Sequence, residues 1–219
     1  MEQTILTTEQ KKVLHLVSIN VVIRDVFYLT GGTALSGFYL FHRYSDDLDF
    51  FTHVEEFPQV QVERFAKDVG KAYGAEKIDY KRLYDRRIFF FVKGPDILKV
   101  EFTYYPFSQI KPPVIKEGIQ LDSLTDISAN KLMAMFDRTE IKDFVDLYWI
   151  LKEKQTIEQI RIDVEKKFHF SFDAVGLGSE FAKVKTFTEL PRMVKPISLE
   201  ELKAFYADLA RGFSQEVLR

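Results

Sequence analysis

Residues 31–51, GGTALSGFYLFHRYSDDLDFF, constrain the fold of this chain more than any other segment. Two carboxylates, Asp47 and Asp49, alternate with Leu48 and Phe50 in a short predicted strand over 47–51. Residues two apart share one face of a strand, and an unpaired buried carboxylate is strongly disfavoured. We therefore expect both carboxylates to face the same way and to lie close together, while Leu48 and Phe50 face the core.

A carboxylate pair held this close needs a cation beside it. Mg²⁺ prefers one or two carboxylates together with substrate phosphates, so Asp47 and Asp49 are candidate ligands for Mg²⁺, with Mn²⁺ as the alternative. Upstream, Gly31 and Gly32 can bring backbone N–H groups against a phosphate at a helix start, where Thr33 adds a hydroxyl. The segment thus predicts metal-assisted chemistry on a nucleoside triphosphate. The competing interpretations are a solvated strand end and a simple strand-to-helix turn.

Composition excludes several other kinds of chemistry. The net charge of −2 gives no global basic field, so any contact with nucleic acid must use a local patch. The absence of cysteine excludes disulfides, thiolate catalysis and zinc sites built on sulfur, and the four histidines lack metal-ligand spacing. The N-terminus has no apolar signal core and no 18-residue apolar run occurs, so we expect a cytosolic protein without a membrane partner.

The order of predicted elements indicates an α+β fold. Strands concentrate in the first half of the chain, and a Lys93–Asp96 turn joins two of them into a hairpin. We predict a nucleotidyltransferase-type lobe with a mixed sheet over 1–115 and a helical lobe over 116–219, with the active site in the cleft between them. The predicted strands are 26–29, 47–51, 78–83, 87–92 and 97–104, and the predicted helices are one capped by Thr8, then 33–41, 59–73, 128–136, 140–152, 156–168, 172–184 and 199 to the end.

Three blocks of this sequence together resemble a known family. They are the segment 31–51, ANKLMAMFDR around Lys131, and KDFVDLYWIL from Lys142. In this order they resemble the nucleotidyltransferase domain of the AbiEii/AbiGii abortive-infection toxin family, within the polymerase-β-like superfamily. Members of that superfamily pair a Gly-Gly or Gly-Ser turn with an Asp-x-Asp strand. The resemblance spans about residues 27–151, and residues 155–219 carry no motif that we can match.

The resemblance implies a third acidic metal ligand on a neighbouring strand, for which Glu101 is the candidate. The alternative for Glu101 is an exposed edge-strand residue paired with Lys99. If Glu101 is not a ligand, we expect one firmly bound metal ion and a second that enters only with substrate.

The resemblance also implies roles for residues further along the chain. Lys131 would bind the triphosphate, and Asp143 would turn toward the site and fix Lys131 or Arg138, with Asp146 as the weaker candidate. The competing interpretation is a solvated lysine beside a solvent-facing acidic stripe.

Two residues before the carboxylates are ambiguous. Arg43 and Ser45 are each a candidate phosphate contact. The alternatives are that Ser45 holds the turn and that Arg43 forms a structural ion pair with Asp46.

The implied activity is Mg²⁺-dependent transfer of a nucleoside monophosphate from an NTP to an acceptor hydroxyl. The acceptor would be an RNA such as a tRNA 3′ end, or a protein. By resemblance the chain would be the toxin of a bacterial toxin–antitoxin or abortive-infection pair, with a separately encoded antitoxin, and we expect a monomer. The alternatives are a phosphotransferase, an aminoglycoside-type nucleotidyltransferase and a non-catalytic nucleotide-binding module.

Overall fold

A computed structural model of the protein describes residues 5–217. Within that range seven strands form one mixed sheet, in the spatial order β3-β4-β5-β2-β1-β7-β6. The strands are β1 Tyr28–Thr30, β2 Leu48–Thr52, β3 Lys77–Leu83, β4 Arg86–Lys93, β5 Asp96–Tyr104, β6 Val114–Lys116 and β7 Ile119–Leu121.

Helices precede, interrupt and follow the sheet along the chain. In the described residues no helix is both long and apolar enough to cross a membrane. The α-helices are α1 Thr8–Ile19, α2 Val21–Val26, α3 Gly31–Leu35, α4 Gln59–Tyr73, α5 Leu124–Asp137, α6 Ile141–Glu153, α7 Ile157–Phe168, α8 Ala174–Ala182 and α9 Leu199–Val217, with a π-helical turn at Ser36–Leu40 and a 3-10 turn at Lys183–Thr186.

The sheet confirms the predicted α+β class. Strands β3, β4 and β5 form a continuous antiparallel meander, and the predicted hairpin turn lies between β4 and β5, where Gly94 has a φ of 54°. Strand β2 pairs with β5 in parallel and with β1 antiparallel. The first helix is capped by Thr7 rather than Thr8, because the Thr7 hydroxyl and the Gln10 amide form a reciprocal capping box.

Two strands were missed by the sequence analysis. Strands β6 and β7 are three residues each and form a hairpin through a turn in which Glu117 and Gly118 have φ values of 50° and 76°. Such short strands show no usable alternation, and prolines 112 and 113 directly before them favour a loop. Because β7 pairs in parallel with β1, the sheet extends well past residue 115.

The core of the sheet is a cluster of phenylalanines centred on Phe102. Its ring lies 5.0 Å from that of Phe27, 5.3 Å from Phe50, 5.9 Å from Phe65 and 6.4 Å from Phe89, measured between centroids. Since Phe50 and Phe102 are paired in register on β2 and β5, their neighbours in sequence point to the opposite face of the sheet.

The contacts divide the chain into two compact units. The first consists of Met1–Tyr39 and Ser45–Ser123 and holds the whole sheet, and the second consists of Leu40–Tyr44 and Leu124–Arg219 and is helical. The division therefore falls after Ser123, later than the predicted boundary at residue 115. The short segment Leu40–Tyr44 belongs to the helical unit although it precedes β2 in sequence.

We expect Phe102→Ala to destabilise the protein by about 3–5 kcal/mol, because it removes the ring at the centre of a fully buried cluster. Urea unfolding followed by circular dichroism measures the change. The matched control is Ile97→Ala on the same strand, where the side chain is 61% exposed, and a loss below about 1 kcal/mol is expected there. Equal losses in the two variants would contradict a core centred on Phe102.

Candidate active site

The two carboxylates of the Asp-x-Asp segment lie at the start of β2. Leu48 and Phe50 are at most 1% exposed and point into the core, so Asp49 points to the opposite face. Asp47 immediately precedes the strand, and its side chain is 44% exposed. The predicted facing of the core residues is confirmed.

Asp49 lies against the glycine turn. Gly31 begins α3 with a φ of 70°, a conformation that side-chain-bearing residues rarely adopt. A Cβ atom placed on Gly31 would lie 2.7 Å from Oδ2 of Asp49, which is closer than real Cβ atoms approach other atoms. The missing side chain at position 31 therefore makes room for the Asp49 carboxylate as well as permitting the turn.

The other residues of the turn have internal hydrogen-bond partners. The Thr33 hydroxyl donates to the backbone carbonyl of Asp47, which ties α3 to the start of β2. The carbonyl of Gly32 accepts a hydrogen bond of 2.6 Å from the Ser36 hydroxyl. Thr33 therefore positions Asp47, and its predicted contact with phosphate stays a prediction.

Glu101 lies directly beside Asp49, because the two residues are paired in register on the parallel strands β2 and β5. Glu101 is 3% exposed. Arg86 donates two hydrogen bonds to it, of 2.5 Å from Nε to Oε1 and 2.8 Å from Nη2 to Oε2, and the Thr103 hydroxyl donates a third of 2.9 Å to Oε1. Burial by itself would raise the pKa of Glu101, but Arg86 and Lys99 outweigh it and hold that pKa below its ordinary value.

Lys99 brings the acidic residues together. Its Nζ lies 3.0 Å from Oδ2 of Asp47 and 3.5 Å from Oε2 of Glu101. Burial opposes its charge, but Asp49 and Asp47 raise the pKa of Lys99 above its ordinary value. The alternative for Glu101, an exposed edge-strand residue paired with Lys99, is therefore correct about the partner. It is wrong about the exposure, because Glu101 is buried. No sequence pattern indicated that Arg86 would donate hydrogen bonds to Glu101.

Asp47 and Asp49 fit a magnesium ion by the chemistry of their oxygens and by the space that Gly31 leaves for the Asp49 carboxylate. In the part of the chain that the structure describes, no three His, Cys, Asp or Glu residues form a group that could hold a metal ion. Glu101 therefore does not form such a group with the two aspartates, and its oxygens accept three hydrogen bonds from Arg86 and Thr103. Asp47 and Asp49 are therefore the two carboxylates that would hold an ion.

In the helical unit Lys131 lies between two buried carboxylates. Its Nζ is 2.8 Å from Oδ1 of Asp143 and 2.7 Å from Oδ2 of Asp146, and both aspartates are fully buried. Arg138 also donates to Asp143, with Nε 2.9 Å from Oδ2. The solvated lysine and the solvent-facing acidic stripe are therefore excluded as interpretations, while a contact of Lys131 with triphosphate stays a prediction.

Asp146 is the centre of this ion cluster. Arg43 bonds both of its oxygens, at 2.6 Å and 2.8 Å, and Nε2 of His42 lies 2.7 Å from Oδ1. Burial by itself would raise the pKa of Asp146, but Lys131 and Arg43 hold it well below its ordinary value. Burial lowers the pKa of His42, which favours the neutral imidazole, and Nε2 is the ring nitrogen that faces the Asp146 carboxylate.

Asp146 was the weaker candidate from the sequence, and the structure shows that both Asp143 and Asp146 contact Lys131. No sequence pattern indicated that His42 would contact Asp146. The signals for the cluster were the family resemblance, which implied that Asp143 contacts Lys131 or Arg138, and the i, i+3 spacing of Asp143 and Asp146 on one predicted helix.

Arg43 is a buried ion-pair partner of Asp146, so it has a structural ion pair, although the partner predicted from the sequence was Asp46. The Ser45 carbonyl accepts a hydrogen bond of 2.7 Å from the Gln10 amide, consistent with a residue that holds the turn.

Solved structures share this fold. JHP933 from Helicobacter pylori matches with a TM-score of 0.59 at 23% identity, over 95% of this chain and 90% of that chain. The nucleotidyltransferase toxin MenT4 from Mycobacterium tuberculosis H37Rv matches with a TM-score of 0.55 at 12% identity, over 94% and 82% respectively. At these identities the likeness shows the fold alone, and the chain shares the α+β fold of these proteins.

The family model for "Nucleotidyl transferase AbiEii toxin, Type IV TA system" matches residues 16–218, and the chain belongs to this toxin family. The uncharacterized protein aq_aa25 of Aquifex aeolicus (strain VF5) is 31% identical over 169 residues, covering 74% of this chain and 76% of that protein. Membership confirms the resemblance and implies a nucleotide substrate and a cognate antitoxin. The match also includes residues 155–218, where the sequence analysis recognised no motif.

We expect Gly31→Ala to abolish Mn²⁺ binding, because the added Cβ would displace the Asp49 carboxylate. The matched control is Gly94→Ala in the β4–β5 turn, which also has a positive φ but has no atom within 4 Å of an added Cβ. Both variants should lose about 1 kcal/mol of stability to backbone strain. Calorimetric titration with Mn²⁺ separates them, and normal binding by Gly31→Ala would contradict the role assigned to the turn.

We expect Asp146→Asn to destabilise the protein by about 3–5 kcal/mol at pH 7, because Arg43 and Lys131 are left buried with one carboxylate fewer. The folded-state pKa of Asp146 is lowered, so its stabilising effect is full above the unfolded pKa of about 3.9 and is lost as the pH falls below that value. The free energy of unfolding, measured with urea between pH 7 and pH 3, should therefore decline less steeply with falling pH for the variant than for the unaltered protein. Identical pH profiles would contradict the assignment.

Proposed function

We propose that this chain transfers a nucleoside monophosphate from an NTP to an acceptor hydroxyl in a Mg²⁺-dependent reaction. It would do so as the toxin of a type IV toxin–antitoxin pair whose antitoxin is separately encoded. The observation that carries the proposal is the Asp47 and Asp49 carboxylate pair, with Asp49 fitted against the side-chain-free Gly31 in a member of this family. Two carboxylates and a close backbone approach suit a metal–triphosphate substrate.

In the proposed reaction a bond forms between the acceptor oxygen and the α-phosphorus. The bond from that phosphorus to the oxygen that bridges to the β-phosphorus breaks, so pyrophosphate leaves, and the hydroxyl proton is released. When bound, Mg²⁺ would lower the pKa of the attacking hydroxyl and offset charge on the triphosphate. The chain supplies position, which is the main demand of such a transfer.

The candidate site residues of the first unit have the following proposed roles. Asp47 and Asp49 would hold the ion, and the hydrogen bond from Thr33 to the Asp47 carbonyl would fix the Asp47 backbone. The backbone N–H groups at Gly31–Thr33 would contact the β- and γ-phosphates. Glu101, which accepts hydrogen bonds from Arg86 and lies close to Lys99, would hold these two cations beside the carboxylate pair.

Lys131 was predicted to bind the triphosphate, but its ammonium group already has two carboxylate partners. Its ammonium already lies between Asp143 and Asp146, so a phosphate would have to share it with two carboxylates. We keep Lys131 as a proposed nucleotide ligand and Asp143 as the residue that positions it.

The surface beside the carboxylates favours an RNA acceptor. The β3–β4 turn carries Tyr84, which is 93% exposed, and the flanking Arg82 is also exposed. Arg86, which begins β4 directly after this turn, binds Glu101, so the turn lies next to the candidate site. Exposed aromatic rings and cations together bind single-stranded nucleic acid by stacking and phosphate contact. A tRNA 3′ end is one such acceptor, and a protein hydroxyl is the alternative.

We expect Asp49→Asn to reduce nucleotidyl transfer at least about 100-fold, because one of two proposed metal ligands is lost while the strand is retained. The measurement is incubation with Mg²⁺, total bacterial RNA and each of the four NTPs labelled at the α-phosphate, followed by gel separation of labelled RNA. The control Asp68→Asn, at an exposed position on α4, should keep full activity.

Three outcomes would count against the proposal. Unchanged turnover by Asp49→Asn would remove the metal site. Label that reaches the acceptor only from a γ-labelled NTP would indicate a phosphotransferase. Weak NTP binding that is independent of Mg²⁺, without transfer to RNA or protein, would indicate a binding module.

A further inference from the structure

Lys99 lies where a cation is needed in the proposed site. Its Nζ is 3.0 Å from Oδ2 of Asp47 and 3.5 Å from Oε2 of Glu101, and its side chain is 23% exposed. Since Lys99 and Glu101 are two apart on β5, both side chains lie on the sheet face of Asp49, the register partner of Glu101. An ammonium group therefore already lies among the three carboxylates that a two-metal site would use.

The hydrogen bonds of Glu101 leave little capacity for a metal ion. A carboxylate has about four lone-pair sites on its two oxygens. Oε1 accepts from Arg86 and Thr103, and Oε2 accepts from Arg86 and lies 3.5 Å from the Lys99 ammonium. A metal on Glu101 would have to displace one of these partners from a residue that is 3% exposed.

Before the substrate binds, the local charge is also unsuited to two divalent ions. Asp47, Asp49 and Glu101 carry a formal charge of −3, and the ion-pair partners Arg86 and Lys99 carry +2, which leaves −1. One divalent ion would bring the group to +1 before the triphosphate binds. A second would bring it to +3, with the Lys99 ammonium repelling an ion on the Asp47 oxygen that it contacts.

We infer that Lys99 takes the place of a second divalent ion, so that the site holds a single metal on Asp47 and Asp49. This inference rests on the proposed function. Glu101, whose carboxylate is oriented by Arg86, then holds the Lys99 ammonium on the metal face of the sheet. Lys99 offsets the charge of the carboxylates from one side while the single ion lies on the other, and its partial exposure lets it contact the phosphates of the substrate.

The test counts metal ions rather than product. Mn²⁺ bound per chain is measured by electron paramagnetic resonance, with one equivalent of a non-hydrolysable NTP analogue present. The full chain should bind one Mn²⁺, and Lys99→Met should bind two, with the first bound about tenfold more tightly because a neighbouring positive charge is gone. Lys99→Arg should restore a count of one. The control Lys93→Met, at the opposite end of the β4–β5 hairpin, should also bind one.

The outcomes separate this inference from the function on which it rests. Two ions in the unaltered chain, or one ion in both the unaltered chain and Lys99→Met, would overturn the role of Lys99 and leave the nucleotidyltransferase proposal intact. No Mn²⁺ in the unaltered chain would overturn both. Lys99→Gln is the second neutral variant if Lys99→Met fails to fold, with circular dichroism as the check, and its expected count is likewise two.

Discussion

The parallel pairing of β2 with β5 is the constraint on which the rest of the site depends. Because Phe50 lies opposite Phe102 and Asp49 opposite Glu101, one register builds the phenylalanine core and the acidic face together. A shift by one residue would bury the carboxylates and expose the rings. The large apolar gain on the core face therefore stabilises a carboxylate arrangement that would be unfavourable by itself, and Arg86 and Lys99 offset the remaining charge.

The helical unit also holds carboxylates together, but there they are buried in a network of ion pairs. Asp143 and Asp146 are fully buried, and their charges are matched by Lys131, Arg43 and Arg138. A buried ion network contributes little net stability compared with apolar packing, but it is costly to break and restricts how its members can be arranged. All five of these residues lie in the blocks that carry the family resemblance, so part of that signature has a structural role in this chain.

The two clusters use acidic residues for different purposes. Around Asp146 each oxygen has close cationic partners, and the carboxylate is closed to further ligands. In the cluster around Lys99, the Asp47 side chain is 44% exposed, and its partner Lys99 is a partly exposed lysine. The second arrangement is the one that we propose as the place for nucleotide chemistry. Exposure, rather than the number of acidic residues, distinguishes a proposed metal site from a structural ion cluster.

The sequence by itself determined the α+β class, the long strands and helices, the facing of Leu48 and Phe50 and the family, because periodicity and motif spacing are local properties of the chain. It did not reveal β6 and β7, whose three residues show no period and whose pairing with β1 is non-local. Only the tertiary structure decided the partners of the charged residues. Arg86 reaches Glu101 across a hairpin, and His42 and Arg43 reach Asp146 about a hundred residues later. Such pairings depend on which elements meet in three dimensions, and no local pattern records them.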